Sequence, residues 1–330
     1  MSIKVLFIGG TGIISSGCAP LAVERGVDLY FLNRGNSSRP TPAGVKVLRG
    51  DIRDPQSVRD AIGDLKFDSV VDWVAFTTGH IQTDIELFRG RTKQFIFISS
   101  ASAYQTPPAA LPVTEGSTLA NPFWEYSRNK IACEEMLIDA YRKDGFPSTI
   151  VRPSHTYDIR LLPFHGGWTV IERMRKGKKV VVHGDGSSLW VMTHHADFAK
   201  GFVPLLGNPQ TIGDAIHITS DELHTWDQIH RIFADAAGTE AKIVHVPSDT
   251  IAAFDKGWGD SLLGDKTHSM IFDNTKLKRL VPGFAATIPL AQGARETIDW
   301  YDADPSRQTV DEKVNQQMDL IIELQERVRP

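Results

Sequence analysis

Apolar residues run almost unbroken over 3–8 and stop at Gly9-Gly10-Thr11-Gly12; a helical stretch over 16–25 then leads to a second apolar run, 29–32. Short apolar runs punctuated by glycine predict strands buried on both faces, and strand–helix–strand order predicts a parallel sheet. Residues 45–48 predict a third strand. Asp54-Pro55 marks a helix start, because aspartate satisfies the free N–H groups and proline fits the first turn, and Gly63 marks its end. Two more strands fall over 69–74 and 94–98. An amphipathic helix over 129–141 carries Ile131, Met136, Leu137 and Tyr141, and a strand over 146–152 is stopped by Pro153.

Beyond residue 155 the texture changes. Glycine, proline and tryptophan are interspersed, and five of the 11 histidines lie between His155 and His195. The pattern predicts an α/β protein with a doubly wound parallel sheet, mainly 1–155, and a smaller lobe, mainly 156–330. Residues 212–218 are placed as a strand that returns to the main sheet. A helix is expected near 225–237 and a strand near 242–246. Val314, Met318, Ile321 and Val328 recur at helical spacing, read as a helix packed on its own domain, with a subunit contact as the alternative.

The 330 residues suffice for one large or two modest domains, and 41% hydrophobic with 23% charged residues excludes a disordered chain, a collagen and a coiled coil. A formal charge of -4 argues against a dedicated nucleic-acid binder. Cys18 and Cys133 are too few for a disulfide scaffold, so a reducing cytoplasmic setting is expected. No window offers the roughly 20 apolar residues of a membrane span. His194 and His195 alternate in direction if they lie on a strand and lack spaced partners, so no metal site is expected. Asp197 is read as placing the next helix.

The glycine-rich turn, Gly9 to Ser15 with Thr11, Gly12, Ile13 and Ile14 between, joins the first strand to a helix N-terminus. Glycine permits close backbone approach, and unpaired N–H groups there face a pyrophosphate, which points to a dinucleotide. At the end of the second strand, Asn33 stands where an acid would bind the ribose hydroxyls of NAD, and Arg34 offers a planar cation for a ribose phosphate. NADP is therefore favoured. The alternative is NAD, with Asn33 serving the hydroxyls and Arg34 and Arg39 covering a loop. Asp51 and Ile52, after the third strand, are placed against the adenine.

Ser100 and Ser102 follow the fifth strand, and Tyr126 and Lys130 stand four apart, on one helix face. A phenol titrates near 10, and bringing it to neutrality takes roughly 4 kcal/mol of differential interaction, to which an ammonium contributes. The glycine loop, a serine, and then Tyr-x-x-x-Lys in that order resemble the extended short-chain dehydrogenase/reductase family, also called the NAD-dependent epimerase/dehydratase family, from residue 9 to near Asp197. The resemblance implies a Rossmann-type domain with a C-terminal substrate-binding lobe. It also implies hydride transfer at a carbinol or carbonyl carbon: Tyr126 as acid/base, Lys130 lowering its pKa and holding the nicotinamide ribose, Ser100 orienting substrate, and Gly9, Gly12 and Ser15 forming the phosphate loop.

Departures from the family pattern narrow the expectation. Ala101 and Ser102 follow Ser100 where family dehydratases carry an acid, so oxidation, reduction or epimerisation is expected over dehydration. His155 stands at an asparagine position and Asp158 at a glycine position. Trp190 replaces an arginine that often grips a nucleotide diphosphate, exchanging a phosphate partner for an apolar face. With Ser102, His155 and Trp190 as substrate contacts, the partner expected is a sugar-like or otherwise polyhydroxylated small molecule; packing is the alternative role for Trp190. The alternatives for the whole protein are an RNA-associated non-catalytic member and a nucleotide-sugar epimerase or dehydratase. The short stretch over 73–97 makes the usual family homodimer doubtful.

Overall fold

The computed structural model describes residues 2–328, with Val328 described for its backbone alone. Along the chain, β1 (Lys4–Ile8), α1 (Ser15–Glu24), β2 (Asp28–Asn33), β3 (Lys46–Arg49), α2 (Pro55–Ile62), β4 (Ser69–Asp72), α3 (Thr78–Phe88), β5 (Phe95–Ile98), α4 (Glu125–Asp144) and β6 (Ser148–Pro153) alternate as the pattern predicts. Asp54 accepts from the N–H groups of Gln56 and Ser57 at the start of α2, and Gly63 caps its end.

The lobe then opens with β7 (His155–Tyr157), α5 (Trp168–Arg175), β8 (Lys179–His183), β9 (Leu189–Trp190) and β10 (Met192–His194). After α6 (His195–Phe202), β11 (Ala215–Ile218) pairs in parallel with β6 and completes a seven-stranded sheet of order β11-β6-β5-β4-β1-β2-β3. β12 (His224–Thr225), α7 (Trp226–Ala236), β13 (Lys242–Val246), α8 (Ser248–Phe254), α9 (Lys256–Ser261), α10 (Thr275–Leu280), α11 (Leu290–Asp302) and α12 (Glu312–Val328) follow.

Every pairing in the main sheet is parallel, and side chains alternate between its faces. Leu6, Ile8, Val70, Phe95 and Phe97 pack with α2, α3 and α4 residues, whereas Val5, Phe7, Val71, Ile96 and Ile98 meet α1, α6 and α10. The direction of strand succession reverses between β1 and β4, and in such sheets a crevice opens at the carboxyl ends of the strands there. The lobe core gathers Trp168, Trp190, Trp226 and Trp258, and Val314, Met318 and Ile321 of α12 pack into it. The side chain of Val328 lies outside the described residues.

The helix expected over 129–141 is longer and turned. α4 starts at Glu125 and buries Ser127, Lys130, Cys133, Glu134 and Leu137, leaving Ile131 and Met136 half-buried and Tyr141 exposed. Its buried face is polar because each polar group finds a partner in the sheet or in the turns that leave it: Ser127 at Ser102, Lys130 at the carbonyls of Ala75 and Ile98, and Glu134 at Arg152. Hydrophobic periodicity is blind to such a face.

Candidate active site

The glycine turn sits at the reversal between β1 and β4. A Cβ on Gly10 would lie 2.4 Å from the ring of Phe31 on β2, so the loop backbone can press onto the sheet only without a side chain. Ser15, at the third small position, closes the turn: its Oγ accepts from Gly12 N at 2.8 Å and reaches the Gly9 carbonyl at 3.4 Å. No side chain caps α1 at Ile14. Gly9, Thr11 and Gly12 line a cavity of about 400 Å³ together with Asn33, Arg34, Asp51 and Ile52. Ile13 is apart from that wall; its carbonyl accepts from Ser16 Oγ.

Around Asn33 the sequence reading missed Arg49. This residue, at the end of β3, donates to Asn33 Oδ1 at 3.1 Å, while Arg34 pairs with Asp51 at 3.9 Å and is largely exposed. Two guanidiniums therefore flank the end of β2. Arg39 has a different task from covering the loop, since it forms an ion pair with the buried Asp158 of the lobe at 2.5 Å.

A second cavity, of about 330 Å³, lies at the ends of β5 and β6 and is lined by Ser100, Ser102, Tyr126, Lys130, His155 and Trp190, with Ile14 of the glycine turn on its wall. Ser100 caps the short turn Ala101–Ala103. Its Oγ lies 2.9 Å from Ser102 Oγ, which accepts from Ser127 Oγ at 2.8 Å, so three hydroxyls form a chain leading from α4 into the cavity. Tyr126 packs against Trp124 and Phe76 and hydrogen-bonds Ser100. Burial outweighs that bond and pushes the phenol up to about 12.

Lys130 is buried and donates to the carbonyls of Ala75 (2.7 Å) and Ile98 (2.8 Å), with Nζ 5.7 Å from the Tyr126 ring centre. Desolvation lowers its pKa to about 8. The ammonium is thus held by the ends of two strands, one helical turn from the phenol. Trp190 is 4% exposed and packed with Trp226, and it also lines the cavity. His155 shows the same cavity an Nε2 without a partner, and burial drops its pKa to about 3.

Three buried polar pairs around this cavity escaped the sequence reading. Glu134, one turn beyond Lys130, takes Arg152 of β6 through Nε at 3.0 Å and Nη2 at 2.5 Å and fastens α4 to the sheet. Asp72 accepts from the N–H of Ala75 at 2.8 Å, fixing the turn whose carbonyl holds Lys130, and the buried carboxyl of Asp84 beside it is raised well above the carboxylate range by burial and by the Asp72 charge. Asp265 and Lys266, paired at 3.1 Å on a π-helical turn, Leu262–Lys266, face Tyr126 from the lobe. Its place four residues after Lys130 could have flagged Glu134; only the fold brings the other two pairs in.

His194 caps α6 at Ala196 N, and Asp197 is buried in the first turn of that helix, where it takes Lys200 and the N–H of Ile288. That agrees with a placing role. No helix among the described residues is long and apolar enough to cross a membrane.

The chain is 25% identical over 288 residues to a 2'-dehydrokanamycin reductase of Streptomyces kanamyceticus, covering 86% of this chain and 80% of that one. It is 24% identical over 257 residues to the chloroplast stem-loop binding protein of 41 kDa b of Arabidopsis thaliana, covering 73% and 65%. In fold it matches the UDP-glucuronic acid 4-epimerase of Bacillus cereus, solved with UDP-glucuronic acid and NAD, at a TM-score of 0.72 and 18% identity over 91% of this chain and 99% of that one. Residues 5–87 and 85–219 match the NAD dependent epimerase/dehydratase family. The chain belongs to that family, as an NAD(P)-dependent enzyme of the extended short-chain dehydrogenase/reductase type.

Proposed function

We propose that the protein transfers hydride between NADP and a carbinol or carbonyl carbon of a hydroxylated ring, with the carbonyl-reducing direction favoured. The observation that carries the reading is the shared cavity: the Ser100–Ser102–Ser127 hydroxyl chain, Tyr126 and Lys130 meet in a space with Ile14 of the dinucleotide turn on one wall and Trp190 on another. Bound cofactor supplies or takes the hydride. The residues present fit such a group, since Gly10 lets the loop backbone press onto the sheet, the helix start at Ile14 carries no side-chain cap, and Gly9, Thr11, Gly12, Asp51 and Ile52 line one cavity.

In this assignment Tyr126 hands its proton to the developing alkoxide, and a phenol pushed up to about 12 is fully protonated for that step at pH 7. Ser100 holds the reacting oxygen. Ser127 and Ser102 hold the Ser100 hydroxyl in place, and Lys130 holds the ribose side of the cofactor and favours the phenolate once it forms. Arg34 and Arg49 at the end of β2 support NADP over NAD. The six aromatic side chains on the catalytic wall, among them Trp73, Trp124 and Trp190, suit the less polar face of a sugar ring. A cytoplasmic enzyme fits the two free, buried cysteines.

The test is a carbonyl and carbinol screen over monosaccharides, aminosugars and cyclitols, followed by nicotinamide absorbance and by stereochemical exchange at the reacting carbon. Turnover that consumes NADPH is expected. Stereochemical exchange without net cofactor consumption would replace reduction by epimerisation; binding of RNA at low salt with no turnover on any substrate would overturn the enzymatic assignment to a hydroxylated ring.

A further inference from the structure

Resting on that reading, a third cavity names the rest of the substrate. It measures about 260 Å³, lies inside the lobe between α5, β8, α7, α9 and α12, and shares two of its lining residues, His155 and Lys266, with the catalytic cavity. The two spaces meet at those side chains. A substrate whose ring sits against Tyr126 therefore has room for a substituent directed past His155.

The walls define what that substituent is. Phe164, Trp226, Trp258, Val181 and Leu162 supply aromatic and aliphatic surface, and Met318 of α12 closes one side with a flexible, polarisable chain that conforms to a flat ring. Charge is nearly absent. His183 donates to the Lys266 carbonyl at 3.0 Å, and His230 meets the Trp226 carbonyl at 2.8 Å, so each ring is held through one nitrogen. Burial brings His183 and His230 down to about 4 and lowers His165 as well, which leaves all three neutral at pH 7. Lys266 is the one cation on this wall, and its charge is matched by Asp265 at 3.1 Å.

A diphosphate needs cations or a cluster of convergent N–H groups. This cavity offers instead single neutral polar groups, the Trp226 indole N–H as a donor and the neutral His155 Nε2, each buried with no partner and spaced along an apolar surface. Leaving such groups unsatisfied is costly, and a ligand with one or two neutral acceptors on an aromatic frame relieves it. We propose that the lobe cavity is a subsite for an uncharged aromatic substituent carried by the hydroxylated ring, so that the substrate is glycoside-like and not a nucleoside diphosphate sugar. Asp265 and Lys266, which face Tyr126 across the catalytic cavity, then hold ring hydroxyls at the junction.

The probes are p-nitrophenyl and methyl glycosides of glucose, galactose, mannose and xylose, with UDP-glucose as the charged competitor, titrated calorimetrically into the protein with NADP bound. For at least one sugar the nitrophenyl glycoside should bind tenfold or more tightly than its methyl counterpart and quench tryptophan fluorescence. Val181→Trp should cut that gain below threefold while methyl glycoside binding changes less than twofold. Met318→Trp fills the same space from another element and stands in if the first variant fails to fold.

Equal binding of the two glycosides, a gain that survives the folded cavity-filling variants, tighter binding of UDP-glucose, or no binding by any nitrophenyl glycoside would each overturn the subsite. Hydride transfer on a sugar without an aryl gain removes this inference and leaves the proposed reaction standing. An aryl gain lost on filling, without hydride transfer, removes the reaction and leaves the subsite.

Discussion

The two halves of the molecule are packed from different materials. Phenylalanine and aliphatic residues fill both faces of the sheet, with Phe7, Phe31, Phe95 and Phe97 fully buried, whereas the lobe core draws on Trp168, Trp190, Trp226, Trp258, Met174, Met192, Met270 and Met318. The buried ionisable groups differ too. Beside the catalytic cavity the sheet half sets Glu134 on Arg152 and Asp72 near Asp84 and Lys130, whereas the lobe cavity is lined by neutral histidines on carbonyls. Stiff packing and paired charge keep reacting atoms in place. Adaptable aromatic and thioether surface receives whatever ring or substituent arrives. On the proposed reaction, the chemistry falls to the sheet half and the choice of substrate to the lobe, a division open to attack from either side.

The largest effect is expected at the sheet side. Tyr126→Phe removes the proton and keeps the ring, so hydride transfer to an identified substrate should fall by about 10²–10⁴-fold in stopped-flow measurements, with NADPH affinity nearly unchanged. Trp190→Phe, across the cavity, should raise KM and leave both the hydride-transfer rate at saturation and cofactor affinity in place. A folded Tyr126→Phe protein with an undiminished rate would end the mechanism, and a Trp190→Phe protein that loses cofactor would end the division.

Acid should separate the halves next. His183 and His230 are each 5% exposed, with folded pKa values near 4 against about 6.5 in an unfolded chain. Their contribution is complete above pH 6.5 and shrinks as pH falls toward 4, because only the unfolded chain takes up protons in that window. At roughly 1.4 kcal/mol per pH unit for each, about 4 kcal/mol goes by pH 5. Asp84 of the sheet half has the opposite sign: with its pKa raised, its contribution is complete at low pH and is lost as pH rises. Hydrogen exchange between pH 7 and 5 should show lobe amides losing protection ahead of β1, β4 and β5. Uniform loss across both halves would contradict this, and His183→Gln with His230→Gln should flatten the profile if it holds.

How much of this could be read beforehand follows the same boundary. The inner sheet strands were legible because runs buried on both faces leave an unbroken apolar signal, and even β11, far along the chain, showed as one, while the edge strand β3 is largely exposed and was read from Val45, Val47 and Leu48 alone. The start of α2 was legible from Asp54 and Pro55 alone. The buried face of α4 was not, since Ser127, Lys130 and Glu134 look like a solvated stripe until the sheet supplies their partners. In the lobe, two-residue strands such as β9 and β12 are too short to carry a period, and Asp265 reaches the cavity through a π turn some 140 residues after Tyr126. Motif order nominated Ser100, Tyr126 and Lys130, which the fold brings to one cavity; the groups that seat them came from tertiary pairing.

Arg39 and Asp158 tie the halves together, and the pair is the place to ask how much they depend on each other. Arg39→Ala strands a carboxylate that is 1% exposed, which should cost about 3 kcal/mol in denaturant titrations. Arg39→Met with Asp158→Leu removes both charges and should return most of that. If the double variant is as unstable as the single, the loop is held by something other than this charge pair.

The smallest expected effect bears on the rim of the sheet half, where cofactor choice is made. Arg34 is 65% exposed, so its hydrogen bonds to a ribose phosphate compete with water and are screened by salt; about 1 kcal/mol, or roughly fivefold, is a fair expectation for Arg34→Ala on NADPH affinity. NADH, with hydroxyls in that position, should change less than twofold. Arg49, tied to Asn33 Oδ1 at 3.1 Å, supplies the second guanidinium, and the double variant Arg34→Ala, Arg49→Ala should erase the difference between the two cofactors. Titration of both nucleotides at low and physiological salt checks the origin of the effect, because a charge contribution must shrink as salt rises while contacts to adenine at Asp51 and Ile52 stay. Tighter binding of NADH by the unaltered protein, or an equal loss for both cofactors in Arg34→Ala, would return the site to NAD, with Asn33 facing the ribose.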